Sequence, residues 1–106
     1  MSETTTVPRV VNIRREGIPQ GAVYCGRRHF WKGRWLEDSP YRNRFEIGRD
    51  GTRDEVCDRF EREDLPYLDV SPLKGKILVC WCAPERCHCD AILRKANPEL
   101  FSEDAA

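Results

Sequence analysis

An unbroken apolar run in the C-terminal third of the chain limits the possible folds most strongly. The segment Lys76-Ile-Leu-Val-Cys-Trp81 shows no polar alternation after its first residue. That pattern is typical of a strand covered on both faces, as in a parallel or mixed sheet. Such a sheet needs helices packed on it, and 106 residues suffice for one domain of this kind.

Other segments predict the elements that such a sheet requires. Val10-Val-Asn-Ile13 is short, apolar and β-branched and predicts a strand. Ala22-Val-Tyr-Cys25, which Gly26 closes, predicts a second one. Thr52-Arg-Asp-Glu55 has the pattern of a capping box and predicts a helix to about Asp64. The segment from Asp90 to Asn97 predicts another helix, which ends before a proline.

We therefore predict one α/β domain over residues 8–101, with helices packed on a small mixed or parallel sheet of about three to four strands. Residues 1–7 and 102–106 are polar or small and are expected to be mobile tails. Residues 27–51 lack a clear periodicity and are interpreted as an irregular, functional loop.

Composition favours a cytoplasmic protein. No run approaches the roughly 20 apolar residues of a membrane span, and the first residues lack the basic and apolar parts of a secretory signal. In a reducing compartment the six cysteines are not expected to form three disulfides. Buried thiols, metal ligands and reactive thiolates remain as interpretations.

The charged residues are distributed unevenly although the net charge is zero. Residues 8–53 hold eleven Lys or Arg against five Asp or Glu, whereas residues 54–106 hold seven against twelve. Arginine, which supplies fourteen of the eighteen basic residues, suits phosphate and carboxylate partners. Arg27, Arg42 and Arg44 are therefore candidate contacts for an anion, although a solvated basic surface is equally compatible with this pattern.

The segment Cys80-Trp-Cys-Ala-Pro-Glu-Arg-Cys-His-Cys-Asp90 is the candidate functional site. It joins the end of the buried strand to the start of a helix, the position at which open α/β sheets bind ligands. Strand alternation places Cys80 and Cys82 on one face. Helical spacing places Cys89 on the apolar side with Ile92, and Cys87 on the more solvated side.

Three interpretations of this turn stay open. Cys80, Cys82 and Cys87 can bind zinc, with His88 or Cys89 as the fourth ligand; an iron–sulfur cluster fits less well. Alternatively, Cys87 or Cys82 acts as a catalytic nucleophile beside His88 or Asp90. In the third interpretation the thiols only pack in the core.

Several short segments occur together in the order that one known family shows. They are Val10-Val-Asn-Ile-Arg14, Val23-Tyr-Cys-Gly-Arg27, Asn43 and Phe45 ahead of Ile47-Gly-Arg-Asp-Gly51, and Cys80-Trp-Cys82 with Pro84 and Cys87-His-Cys-Asp90. Over about residues 9–97 the chain thus resembles domain of unknown function 4326, a family of bacterial and phage proteins.

The resemblance implies a characteristic site and a second wall facing it. The site comprises Cys80, Cys82, Cys87, His88 and Asp90, and the wall comprises Tyr24, Gly26, Arg27 and Asn43. Two departures matter: Cys89 stands where the family tends to have glycine, which favours an incidental role for it, and Arg42-Asn-Arg-Phe45 replaces Gly-Asn-Pro-Phe.

These observations together favour a small domain with a zinc-binding or otherwise functional Cys/His turn that handles a nucleotide or nucleic acid. Aromatic residues alternate with arginines between residues 28 and 45, a mixture that can stack bases and hold phosphates. One alternative is a thiol- or metal-dependent enzyme of nucleotide or nucleobase transfer. Another is a structural or interaction module of a phage or bacterial accessory protein.

Overall fold

The computed structural model describes residues 7–101. The predicted tails at residues 1–7 and 102–106 lie outside the described residues, except for Val7. The elements are β1 (Val10–Asn12), α1 (Ile13–Glu16), β2 (Val23–Tyr24), β3 (His29–Trp31), β4 (Arg34–Leu36), α2 (Arg53–Arg59), β5 (Leu78–Cys80) and α3 (His88–Ala96). A π-helical turn continues α2 over Phe60–Asp64, and 3-10 turns cover Leu65–Tyr67, Ser71–Leu73 and Pro98–Leu100.

Three of the strands form a parallel sheet in the order β1-β5-β2. The central strand pairs with both neighbours in parallel, so that Val79 lies opposite Val11 on one side and Tyr24 on the other. The predicted α/β class with a small parallel sheet is therefore confirmed. All three strands end at the same edge of the sheet, and this edge carries the candidate site.

Both faces of the sheet are covered, as the apolar run predicts. Leu78 contributes to an apolar cluster that includes Phe60 and Ile92, from the turn after α2 and from α3. Val79 contributes to the cluster on the opposite face, which includes Leu36 of β4. Because successive side chains of a strand point in opposite directions, these two residues reach different layers, and neither is exposed to solvent.

The segment predicted to be an irregular loop contains an antiparallel hairpin. Strands β3 and β4 pair with Phe30 opposite Trp35, and Lys32 and Gly33 connect them with φ angles of 46° and 84°. A two-residue turn with positive φ at both positions is usually marked by Asn-Gly or Asp-Gly. Lysine at the first position gives no such signal, which explains the missed element.

The helix starts follow from local capping. The predicted capping box is confirmed, because Thr52 Oγ1 accepts from the Glu55 N–H at 3.2 Å and Glu55 Oε1 accepts from the Thr52 N–H at 2.8 Å. Helix α3 begins at His88 rather than Asp90, since the Asp90 carboxylate accepts the Cys87 N–H at 3.0 Å and starts the helix earlier. No helix within residues 7–101 is long and apolar enough to cross a membrane.

Candidate functional site

A cavity of about 540 Å³ lies at the sheet edge where the three parallel strands end. The carboxyl ends of parallel strands are the usual place for ligands in open α/β folds. The residues that line it come from the loops after each strand, from α2 and from the start of α3: Arg14, Tyr24, Gly26, Arg27, Arg28, His29, Asn43, Phe45, Glu46, Ile47, Arg53, Val56, Cys57, Cys80, Trp81, Cys82, Arg86, Cys87 and His88.

The loop after β5 is held in place by Asn12, the last residue of β1. Its Nδ2 donates to the backbone carbonyls of Trp81 at 3.1 Å and of Ala83 at 2.9 Å. Its Oδ1 accepts the Arg14 N–H at 2.9 Å and so caps α1. One amide side chain thus fixes the chain on both sides of the cavity.

Three buried sulfurs converge beside this loop. The Sγ atoms of Cys80, Cys87 and Cys89 all lie within 4.8 Å of one another. They come from the end of β5, the residue before α3 and the first turn of α3. We call these three residues the cysteine cluster; they lie close enough together to hold a metal ion.

Two further cysteines contact the cysteine cluster from opposite sides. Cys82 interacts with Cys80 and Cys87, and it is half-buried and lines the cavity. Cys25 interacts with Cys89 on the side of the core. The sulfur of Cys80 also accepts the N–H groups of Cys82 and Ala83, each at 3.4 Å.

These contacts concentrate negative charge in the middle of the cysteine cluster. Hydrogen bonds from the Cys82 thiol lower the pKa of Cys80. Hydrogen bonds from Cys80 and then Cys82 lower the pKa of Cys87. The same contacts raise the pKa of Cys82, and contacts with Cys25 and then Cys80 raise that of Cys89. Without a metal, Cys87, which accepts from both Cys80 and Cys82, thus has the strongest thiolate character.

His88 is buried beside the cysteine cluster in a defined orientation. Its Nε2 lies 3.0 Å from the Cys25 carbonyl oxygen and 2.9 Å from the Tyr41 carbonyl oxygen. Because a carbonyl only accepts, these two contacts require a proton on Nε2. Nδ1 lies 3.4 Å from the Cys87 sulfur. Burial lowers the pKa of His88, but the hydrogen bond and charge of Cys87 and the contacts with the Cys25 and Tyr41 carbonyls together outweigh it, so the pKa is raised overall.

The four residues that the resemblance assigns to a second wall all line the cavity. Tyr24 donates to the Arg27 carbonyl at 2.7 Å and accepts from Trp81 Nε1 at 2.7 Å. A Cβ atom at Gly26 would collide with the Tyr24 ring, whose Cζ would lie 2.6 Å away. Only glycine therefore permits this close approach.

Asn43 and Arg27 join this wall to α2. Asn43 Nδ2 donates to the Val56 carbonyl at 3.1 Å, and its Oδ1 accepts the Phe45 N–H at 3.0 Å. Arg27 donates to the Asn43 carbonyl at 2.9 Å. The lining positions of Asn43 and Arg27 are thus fixed by hydrogen bonds to the backbone.

Two of the predicted anion contacts lie outside the cavity lining. Arg42 donates to the Ser39 carbonyl at 2.9 Å. Arg44 forms an ion pair with Asp64 at 2.9 Å and lies over the Phe45 ring. Their guanidinium groups are engaged in these local contacts, because the loop folds back towards the end of α2.

Other arginines that sequence reasoning did not single out line the cavity. They are Arg14, Arg53 and Arg86, and Arg28 from the predicted aromatic and basic segment lines it as well. Arg53 donates to the Arg86 carbonyl at 3.1 Å, and its contact with the Cys82 thiol raises the pKa of Arg53. The positions of two of them in the sequence could have indicated this, since Arg53 follows the capping threonine and Arg86 precedes Cys87.

Comparison with known proteins places the chain in a family. An uncharacterized protein of Acanthamoeba polyphaga mimivirus is 36% identical over 84 residues, which cover 73% of this chain. The chain spans 64% of the length of that relative. No solved structure matches the chain. The family model of the domain of unknown function DUF4326 matches residues 11–98, which include the parallel sheet, the cavity and the cysteine cluster. The chain therefore belongs to the DUF4326 family.

Proposed function

We propose that the protein binds zinc at the cysteine cluster and an anionic ligand of the nucleotide class in the adjoining cavity. The observation that carries this proposal is the convergence of three buried sulfurs at the wall of a cavity rich in arginine. The metal and the ligand are separate parts of the proposal, and each has its own test.

The donor set favours a thiophilic metal. Thiolates are soft ligands that select zinc, copper(I) or iron–sulfur clusters, and zinc takes four ligands in tetrahedral sites. Cys80, Cys87 and Cys89 supply three. Cys82 contacts two of these sulfurs and is our proposed fourth ligand. His88 is the alternative fourth ligand, because two carbonyls hold its Nε2 proton and leave Nδ1, 3.4 Å from the Cys87 sulfur, free to bind a metal.

The cavity has the charge and the rings that a nucleotide needs. Five arginines line it, against one carboxylate, that of Glu46. Arg14 and Arg28 form no ion pair with an acid among residues 7–101, and Arg14 lies 5.2 Å from the centre of the Trp81 ring. Unpaired guanidinium groups suit phosphate, while Trp81 and His29, whose ring centres are 4.5 Å apart, provide aromatic surfaces for a base.

Metal analysis of protein purified without chelator tests the first part. We expect one zinc per chain, with the cysteine cluster and Cys82 protected from thiol reagents until the zinc is removed. A metal-free protein in which all six thiols react as free thiols after unfolding would contradict the zinc site.

Equilibrium dialysis with ATP, GTP and their monophosphates tests the second part. We expect binding that weakens as salt rises, since phosphate contacts are screened. Arg14→Gln should weaken binding about tenfold or more. Arg42→Gln is the matched control, because Arg42 donates to Ser39 and lies outside the cavity lining. Equal effects of both substitutions would contradict a ligand in this cavity.

A thiol enzyme of nucleotide or nucleobase transfer is the second candidate. The observation in its favour is the 3.4 Å contact between Cys87 Sγ and His88 Nδ1, since a neighbouring imidazole is a common way to activate a cysteine nucleophile. Asp90, which accepts the Cys87 N–H, would then position the nucleophile. Metal-free protein in which one equivalent of iodoacetamide labels Cys87 first would favour this candidate over zinc.

A further inference from the structure

The β3–β4 hairpin has one buried and one exposed face. Leu36 is buried and Trp31 half-buried against the apolar cluster of the sheet. Phe30 and Trp35, which lie opposite each other in the hairpin, point the other way. They are 53% and 52% exposed, and their ring centres lie 5.2 Å apart. Burial in the core therefore does not account for these two aromatic side chains.

The hairpin segment that carries this exposed face is basic. Residues 27–36 contain three arginines and one lysine and no acidic residue. The Arg28 guanidinium lies 4.1 Å from the centre of the Trp35 ring. The Arg28 guanidinium forms no ion pair with an acid among residues 7–101, although Asp38 accepts the Arg28 backbone N–H at 2.7 Å. Lys32 and Arg34 lie with Trp31 on the other face, since Lys32 lies over Trp31 and Arg34 is its partner in the hairpin. A partner that covers the face must therefore bring negative charge together with flat or apolar groups.

The hairpin is continuous with the cavity. His29, the first residue of β3, packs against Trp81 at the cavity wall with their rings tilted by 59°. Arg28 both lines the cavity and covers Trp35. A ligand extended along the hairpin would thus meet aromatic and basic side chains all the way to the cavity. A polymer of alternating bases and phosphates matches this arrangement better than a membrane surface, which would contact the protruding face alone.

We propose that the exposed face of the hairpin binds single-stranded nucleic acid, with Phe30 and Trp35 stacking on bases and Arg28 neutralising a phosphate. Aromatic platforms flanked by basic residues bind single strands with little sequence preference. This surface goes beyond the cavity ligand proposed above, and it requires neither the metal nor a free nucleotide.

Fluorescence anisotropy with a labelled twelve-nucleotide oligo(dT) or oligo(U) at low salt tests this surface. Trp35→Ala should weaken binding about tenfold, because each stacked base contributes strongly, and Trp35→Phe should keep most of the affinity. Arg28→Gln should weaken binding and make it less salt-dependent by about one phosphate contact. Tyr67→Ala is the matched control, since Tyr67 is 86% exposed on a distant 3-10 turn.

The same variants separate this proposal from the cavity and from other partners. The Trp35→Ala variant should retain its zinc content, its circular dichroism spectrum and its affinity for free nucleotides. The Arg14→Gln variant should lose affinity for free nucleotides. Absence of oligonucleotide binding by the intact protein, or equal binding by the Trp35→Ala and Tyr67→Ala variants, would overturn the proposal. So would a Trp35→Ala variant that binds oligonucleotide normally but loses affinity for anionic phosphatidylserine vesicles or loses self-association.

Discussion

Asn12 shows at the residue scale how one polar side chain can organise a site. Its amide nitrogen holds two carbonyls of the loop that carries Cys82, and its oxygen caps α1. Half-buried carbonyls that lose their donor cost free energy, whereas hydrogen-bonded ones contribute modestly. The position of the cysteine loop therefore depends on a residue that belongs to another strand.

Asn12→Asp tests this role because aspartate keeps the capping oxygen but cannot donate. We expect a loss of about 1–3 kcal/mol in the free energy of unfolding, measured by urea denaturation, together with weaker metal retention. Asn12→Ala should be at least as destabilising because it also removes the cap of α1. A fully stable Asn12→Asp variant would show that the loop is held by other contacts.

For Cys89 the sequence predicts burial but not the contact with the sulfurs of Cys80 and Cys87. Helical spacing predicts it on the apolar side with Ile92, and both are fully buried there. The same spacing predicts Cys87 on the solvated side, but Cys87 is buried because it precedes the helix with extended backbone and turns inward. Periodicity describes residues inside a helix, whereas the meeting of three sulfurs depends on how β5 and α3 pack together.

We therefore expect Cys89→Ala and Cys57→Ala to differ. Both remove a buried sulfur and should cost on the order of 1 kcal/mol of stability. Cys89→Ala should also lower the zinc content, because it removes a member of the cysteine cluster. Cys57 lies outside this cluster, and burial raises its pKa to about 11, so Cys57→Ala should keep its zinc. Metal analysis of the two variants would contradict the proposed ligand set if their zinc contents were equal.

At the scale of elements, a helix or strand could be predicted where the sequence carries a common local pattern. The capping box of α2 and the apolar strand β5 were predictable, because each depends on residues close together in the chain. The hairpin was not, since Lys32 adopts a positive φ that lysine rarely favours. The choice of Arg14 and Arg53 rather than Arg42 and Arg44 at the cavity depends on loop paths that no local pattern contains.

The start of α2 links helix stability to the cavity. Thr52→Ala should cost about 1 kcal/mol in the free energy of unfolding, because it leaves the Glu55 N–H without its cap. Thr52→Ser is the control, because it keeps the hydroxyl. Since Arg53 follows the cap and holds the Arg86 carbonyl, nucleotide affinity should fall with stability in Thr52→Ala only. Chemical denaturation and dialysis of both variants measure the two effects.

At the scale of the whole molecule, a metal would connect elements that otherwise share a small core. A chain of this length buries only about two-thirds of its unfolded surface, so its stability margin is narrow. The cysteine cluster joins the end of the central strand to the first turn of α3. Binding at this junction would stabilise the folded chain directly, because the unfolded chain has no preformed site.

Chelation provides the test at this scale. Removing zinc should lower Tm by several degrees for each kcal/mol of lost stabilisation, and adding zinc back should restore it. The Cys57→Ala variant should show the same shift from its own lower starting Tm. An unchanged Tm in protein shown to have lost its zinc would mean that the metal does not support the fold.

The strand order has a consequence for the chain as it is synthesised. The central strand β5 is the last of the three in the sequence, and within residues 7–101 its two neighbours pair with no other strand. Until a ribosome has passed residue 80, β1 and β2 lack their partner, and the cavity and cysteine cluster cannot form. Pairings so distant in sequence make folding slow, and unpaired strand edges expose nascent chains to aggregation. Chaperone contact during translation is therefore expected to be concentrated on the first two strands.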